Sequence, residues 1–135
     1  MAYELRPYQK ECKDILDKTP TGNHLVVMAT GLGKTVVMTH LKRNGRVLLL
    51  SHRDELVRQP EKYFDCSFGI EKAEEHAGDE EVVSASVQSL SRPGRMKRFA
   101  PDAFDTIIID EAHHSAAKSY RAVLDYFSGA KRRIG

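Results

Sequence analysis

Cysteine is scarce in this chain. Cys12 and Cys66 are the only two, far apart and in no metal-ligand spacing. They argue against a cysteine metal site and read as two buried thiols in a reducing compartment. Charge of one sign is also missing. Twenty-one Lys and Arg against 19 Asp and Glu give a formal net charge of +2. Overall charge therefore does not announce nucleic acid, and any basic surface must be local. Long apolar runs are absent, and none approaches membrane-spanning length. The first twenty residues carry Glu4, Arg6, Lys10, Glu11, Lys13, Asp14, Asp17 and Lys18, which leaves no room for a signal core. The expectation is a cytoplasmic protein with no membrane partner. Internal repeats and low-complexity linkers are missing too.

What is present is a globular composition, 41% hydrophobic and 30% charged in 135 residues, enough for one domain or one piece of a larger protein. Short β-rich runs alternate with helical patterns. "LRPYQKECKDILDK" opens with Pro7, suited to a first helical turn, and places Tyr8, Cys12, Ile15 and Leu16 on one face. Strands are expected at 24–28, 45–51, 81–86 and 104–114, with the start of another in "KRRIG". Helices are expected at 34–43, 53–64 (kinked or stopped by Pro60) and 119–127. Strands apolar on both faces and separated by helices imply an α/β domain, a mostly parallel sheet covered on both sides. Right-handed crossovers then gather the loops after the strands along one edge, where ligands bind in such sheets.

The stretch "VVMATGLGKTVV" (26–37) lies at that edge. A polyphosphate needs inward-pointing backbone N–H groups, and Gly31 and Gly33 give the turn its freedom. The following helix offers its N-terminal N–H groups to an anion. Lys34 supplies a charge for the terminal phosphates and Thr35 a hydroxyl for Mg²⁺. The strict phosphate-loop pattern asks for glycine at 28, where this chain has Met28. A plain Gly-rich strand-to-helix turn is the competing reading.

Asp110 and Glu111 follow the run Thr106 to Ile109, so a strand delivers them to the same edge. Hydrolysis of a nucleotide needs one carboxylate to hold Mg²⁺ and a group to orient or deprotonate the attacking water. Asp110 suits the first role and Glu111 the second. His113 and His114 lack further ligands at metal spacing, so a zinc site is not expected.

"ATGLGKT" (29–35) and "DEAH" (110–113) resemble motifs I and II of superfamily 2 helicases and translocases, the DEAD/DEAH-box group. That family uses alanine–threonine–glycine variants of the phosphate loop, which accounts for Met28. "LRPYQ" (5–9) is similar to its adenine-recognition element, "LLLSHRDELVRQ" (48–59) to motif Ia, and "SASVQSL" (84–90) to a segment that family members use on the nucleic-acid backbone. "LRPYQ" together with "DEAHH" looks most like the branch of DNA-repair and restriction-enzyme-type translocases. The resemblance covers nearly the whole chain. It implies a P-loop, RecA-like fold over residues 1–135 and ATP with Mg²⁺ as cofactors. Gln9 would read the adenine edge with Arg6 nearby, and Thr30, Gly31, Leu32, Gly33, Lys34 and Thr35 would hold the phosphates. Thr35 and Asp110 would take Mg²⁺, Glu111 would be the base, and His113 would couple the nucleotide to motif III and the second domain.

The implied partner is nucleic acid, DNA rather than RNA. His52, Arg53, Gln59, Ser86, Gln88 and Ser89 offer groups that position phosphates without reading sequence. "SRPGRMKR" adds Arg92, Arg95, Lys97 and Arg98, which either extend that track or form a solvated loop. The acidic stretch from Glu71 to Glu81 is expected to lie away from nucleic acid. Family members place ATP between two RecA-like domains, and "KRRIG" falls where the strand of motif III would begin. The expectation is therefore the first motor domain of a longer protein, without the second RecA-like domain and its arginine finger, which is worth roughly 10³–10⁵ in rate in comparable hydrolases. As a fragment it would be nearly inactive. A non-hydrolysing nucleic-acid-binding module and a P-loop kinase are the alternatives. The kinase reading lacks a recognisable lid.

Overall fold

Residues 47–51, Val-Leu-Leu-Leu-Ser, have no polar side chain until their end, so they suit the middle of a sheet covered on both faces. In the structure, a computed structural model, they form a central strand of six. The structure describes residues 7–18, 21–24, 37, 45–51, 57, 61, 64, 66–72, 75–110 and 117–134; for Tyr8, Asn23, His24, Pro93, Asp110 and Ala117 it describes the backbone only.

Along the chain run α1 (Pro7–Lys18), β1 (Gly22–His24), β2 (Val47–Ser51), β3 (Phe68–Glu71), β4 (Val82–Ser86), α2 (Val87–Leu90), α3 (Pro93–Met96), β5 (Thr106–Asp110), α4 (Ala117–Tyr126) and β6 (Arg132–Ile134). The sheet order is β1-β6-β5-β2-β4-β3, and every pairing is parallel. The expected parallel α/β architecture is therefore present. β1 begins at Gly22, which takes a positive φ of 95° that glycine adopts without strain.

Alternation along the strands splits the core in two. Leu48, Leu50, Val83, Ala85 and Ile107 belong to one cluster, which α2, α3 and α4 cover with Val87, Leu90, Met96, Tyr120 and Val123, joined by Phe127 just after α4. Val47, Val82, Ile108 and Ile134 belong to the other, which contains Leu16 of α1 and Val37, with Cys12 and Cys66 packed against it. Residues two apart share a face, so this is the pleat read directly from packing. Phe99, Phe104 and Phe127 form an aromatic knot in the first cluster, with ring centroids 5.3 to 6.4 Å apart. The Tyr126 hydroxyl donates to the Phe99 carbonyl across its rim.

β2, β4, β5 and β6 fall where the sequence places strands, and α4 matches the helix expected at 119–127. β3 was not anticipated. Phe68–Glu71 is a short edge strand with a glycine in it, and its last residue belongs to a stretch read as acidic surface. Of the helices expected at 34–43 and 53–64, the structure describes Val37 and Val57 as helical, both fully buried. Most of the strand expected at 24–28 lies outside the described residues.

Candidate functional site

Three strands end at one level. Ser51 of β2 is in register with Ser86 of β4 on one side and Asp110 of β5 on the other. Adjacent strands lie about 4.8 Å apart, so the three positions make a short row across the carboxyl edge. By alternation with Val47 and Val82, Ser51 and Ser86 fall on the sheet face that carries α1. The apolar run of β5 thus brings an acidic residue to the edge where parallel sheets bind ligands.

Ser51 and Ser86 are buried. Ser86 is the N-cap of α2: its Oγ accepts from the Ser89 N–H at 3.5 Å and donates to Gln88 Oε1 at 3.1 Å. Its hydroxyl is thus engaged in ending the strand and starting the helix. Gln88 itself is exposed on the first turn. Ser84, one pleat earlier, donates to the Val57 carbonyl at 2.5 Å, which ties β4 to the helical segment after β2.

Gln9 sits in α1 at 6% exposure, not the solvated helix start that a polar residue there would ordinarily mark. It lies seven residues before Leu16, which is buried against the sheet; seven residues are nearly two turns, so the two share a face. The far end of α1 is held by Arg132, the largest fully buried side chain described. Its Nη1 donates to the Leu16 carbonyl at 2.8 Å and its Nε to Thr106 Oγ1 at 3.3 Å. Burial lowers the guanidinium pKa, and the charges of Asp105 and Asp17 oppose that. Arginine remains charged at neutral pH regardless.

The basic run divides between exposed cations and partners of a buried acid. Glu71 is completely buried, and its carboxylate takes Arg95 Nε at 2.6 Å, Arg98 Nη1 at 2.8 Å and the Ala77 N–H at 2.8 Å. His76 Nδ1 stands 3.1 Å from Arg98 Nη1 and 3.4 Å from Glu71 Oε2. Burial alone would raise the Glu71 pKa; the Ala77 N–H and the two guanidinium groups outweigh it and hold the carboxyl below its ordinary value. Two of the four cations are therefore partners of a buried acid, Arg95 mostly buried and Arg98 still exposed. A buried carboxylate must be paired. Arg92 and Lys97 stay exposed.

Arg6, Thr30, Gly31, Leu32, Gly33, Lys34, Thr35, His52, Arg53, Gln59, Glu111 and His113 lie outside the described residues. Among the described residues no cluster of three or more His, Cys, Asp or Glu side chains is arranged to hold a metal, and no helix is long and apolar enough to cross a membrane. Sequence reasoning missed Arg132 and Glu71 as organising residues. An arginine inside an expected strand and an acid beside a glycine-containing run were the available signals.

The family model described as the type III restriction enzyme res subunit matches residues 2–135. The Saccharomyces cerevisiae protein named as the ATP-dependent helicase IRC3 is 36% identical over 93% of this chain and 21% of its own length. The Schizosaccharomyces pombe protein named as a mitochondrial ATP-dependent helicase, irc3, is 33% identical over 98% of this chain and 24% of its own length. The EcoAI endonuclease subunit of a type I restriction enzyme from Escherichia coli is 36% identical over 78% of this chain. This chain thus spans about a quarter or less of the relatives it matches. In structure, the Hef helicase domain of Pyrococcus furiosus superposes with a TM-score of 0.71 at 22% identity, covering 96% of this chain and 31% of that one. An ATP-dependent RNA helicase structure from Sulfolobus tokodaii gives 0.71 at 14% identity, covering 98% and 45%.

Proposed function

This chain belongs to the type III restriction enzyme res subunit family, with the N-terminal RecA-like fold of superfamily 2 helicases, and from that premise we propose that it is the Mg-ATP-binding half of a DNA helicase or translocase. The observation that carries the proposal is the register of Ser51 with Asp110, which puts the first residue of the DEAH-like stretch level with the end of β2. Nucleotide binding at one strand end and backbone contacts at the next are what a motor domain has to connect.

The donor chemistry suits Mg²⁺. Asp110 ends β5 and Thr35 follows the glycine loop, a hard oxygen set of the kind that holds this ion together with water and phosphate oxygens. Bound there, Mg²⁺ would neutralise charge on the terminal phosphates. Lys34 and the N–H groups around Gly31 and Gly33 would hold those phosphates. Gln9 would present a donor and an acceptor to the adenine edge, with Arg6 near the base or phosphates. Glu111 would accept the proton of the attacking water, and His113 would carry the state of the site towards the second domain. His52, Arg53, Gln59 and Gln88 would face the nucleic-acid backbone, with Ser86 holding the first turn that presents Gln88.

DNA is the proposed polymer because a restriction endonuclease subunit stands among the relatives above 30% identity, whereas the likeness to an RNA helicase structure is one of fold. Residues 1–135 by themselves, without a second RecA-like domain and an arginine finger, would hydrolyse ATP only feebly. Cys12 and Cys66 are not joined in a disulfide, which fits a reducing compartment, and the cytoplasm is the proposed one. The test is hydrolysis by the protein carrying its natural downstream sequence. DNA should stimulate it severalfold, and equal rates with and without nucleic acid would remove the motor assignment.

A further inference from the structure

Arg132 is a fully buried charge at the start of β6, and nothing in the proposed chemistry uses it. Its contacts join three elements. β6 carries it beside Gly22 of β1 and Thr106 of β5, its in-register neighbours. From there it reaches the Leu16 carbonyl in the last turn of α1. The last four carbonyls of a helix have no partner within the helix, and a cation there also meets the negative end of the helix dipole. Asp17, in the same turn, adds its charge to the attraction. The guanidinium is itself held in place by Thr106 Oγ1.

This grip is at the amino end of the strands. Leu16 and Gln9 are separated by roughly 10 Å of helix, while β5 from Thr106 to Asp110 runs roughly 13 Å. A helix pinned at Leu16 and lying along the sheet therefore carries Gln9 to about the level of the carboxyl edge. Both residues are buried on the same face, so a shift or roll of α1 about its pinned end moves Gln9 with it.

We propose that Arg132 is a positioning residue for base recognition: by capping α1 through the Leu16 carbonyl, from a seat on β6 and Thr106, it sets where Gln9 meets the nucleotide base. The inference rests on the reading of Gln9 as the adenine-contacting side chain. It makes the selectivity for adenine depend on a residue remote from the phosphate loop.

Binding of Mg-ATP, Mg-GTP and inorganic triphosphate to the whole chain, measured by calorimetry, separates the possibilities. The unaltered chain should prefer ATP to GTP. Arg132→Met should cut that preference roughly tenfold while inorganic triphosphate binds as before. Arg132→Lys, which keeps one donor and the charge, should recover much of the preference. Thr106→Val frees the guanidinium without leaving a charge unpaired, should shift the preference the same way by less, and decides the matter if Arg132→Met does not fold. Equal losses for all three ligands would mean a purely structural arginine and overturn the inference, as would an unchanged ATP-to-GTP ratio in both variants. An unaltered chain that binds Mg-ATP and Mg-GTP equally would overturn the reading of Gln9 itself, and the inference with it.

Discussion

Arg95 Nε meets Glu71 Oε2 at 2.6 Å, joining the edge strand β3 to α3 across 24 residues of sequence. The carboxylate has no exposed surface and Arg95 very little, so the pair is an internal one. Glu71→Ala should cost about 3 kcal/mol, because two guanidinium groups lose the charge they were drawn in to meet. Chemical denaturation of the variant against the unaltered chain measures this. The acid's pKa is lowered on folding, so its contribution is complete above the unfolded carboxylate value and is lost as pH falls through the folded one. The stability gap between the unaltered chain and Glu71→Gln should therefore be steady near neutrality and narrow as pH falls below the ordinary carboxylate range.

The same pairing divides the basic run. Arg92 and Lys97 are exposed, whereas Arg95 and Arg98 serve Glu71. If this face touches DNA, Arg92→Ala and Lys97→Ala should each lower the slope of log affinity against log salt by about 0.7–0.9. Arg95→Ala should register as lost stability, with a smaller change in that slope. Salt-titrated anisotropy with a fluorescent oligonucleotide, beside thermal melts, reads both.

Much of the fold could be read from the chain. Alternating β-rich and helical patterns gave the parallel sheet, because buried parallel strands are written as unbroken apolar runs such as 47–50 and 106–109. β3 escaped because an edge strand needs only one covered face and tolerates Gly69, so its pattern is short and mixed. The motifs name candidates for the edge, since phosphate and metal chemistry demand fixed residue types at fixed spacing, but most of those candidates lie outside the described residues. Sequence could not tell a cation committed to an internal acid from one facing solvent. Glu71 and Arg98 stand 27 residues apart, and only the closing of the sheet brings them within 2.8 Å. Arg132 and Leu16, 116 residues apart, were hidden for the same reason.

Metal dependence should follow Asp110. It ends β5 in register with Ser51 and is the carboxylate proposed to hold the ion. Removing Mg²⁺ with EDTA should weaken ATP binding severalfold in the unaltered chain. Asp110→Asn should bind ATP with the weaker affinity in either condition. Calorimetry with and without EDTA shows whether the two effects coincide.

The aromatic knot should dominate the stability of the α4 side. Phe127 is fully buried against Phe99 and Phe104. Phe127→Ala should cost about 3–5 kcal/mol. Gly129, in the turn that follows, has the backbone of Asp102 2.8 Å from where a Cβ would stand. Gly129→Ala should cost about 1–3 kcal/mol by overpacking. Urea midpoints of the two variants check both, and an unchanged midpoint for either would mean that side yields more easily than its packing implies.

The central claim, that this chain is the nucleotide-binding half of a helicase-type motor, is tested most directly by titrating Mg-ATP into the chain and into Lys34→Ala. The account predicts saturable binding by the unaltered chain and a loss of at least about tenfold in Lys34→Ala, with both proteins folded. No binding at millimolar nucleotide, or equal binding by the two, would contradict it.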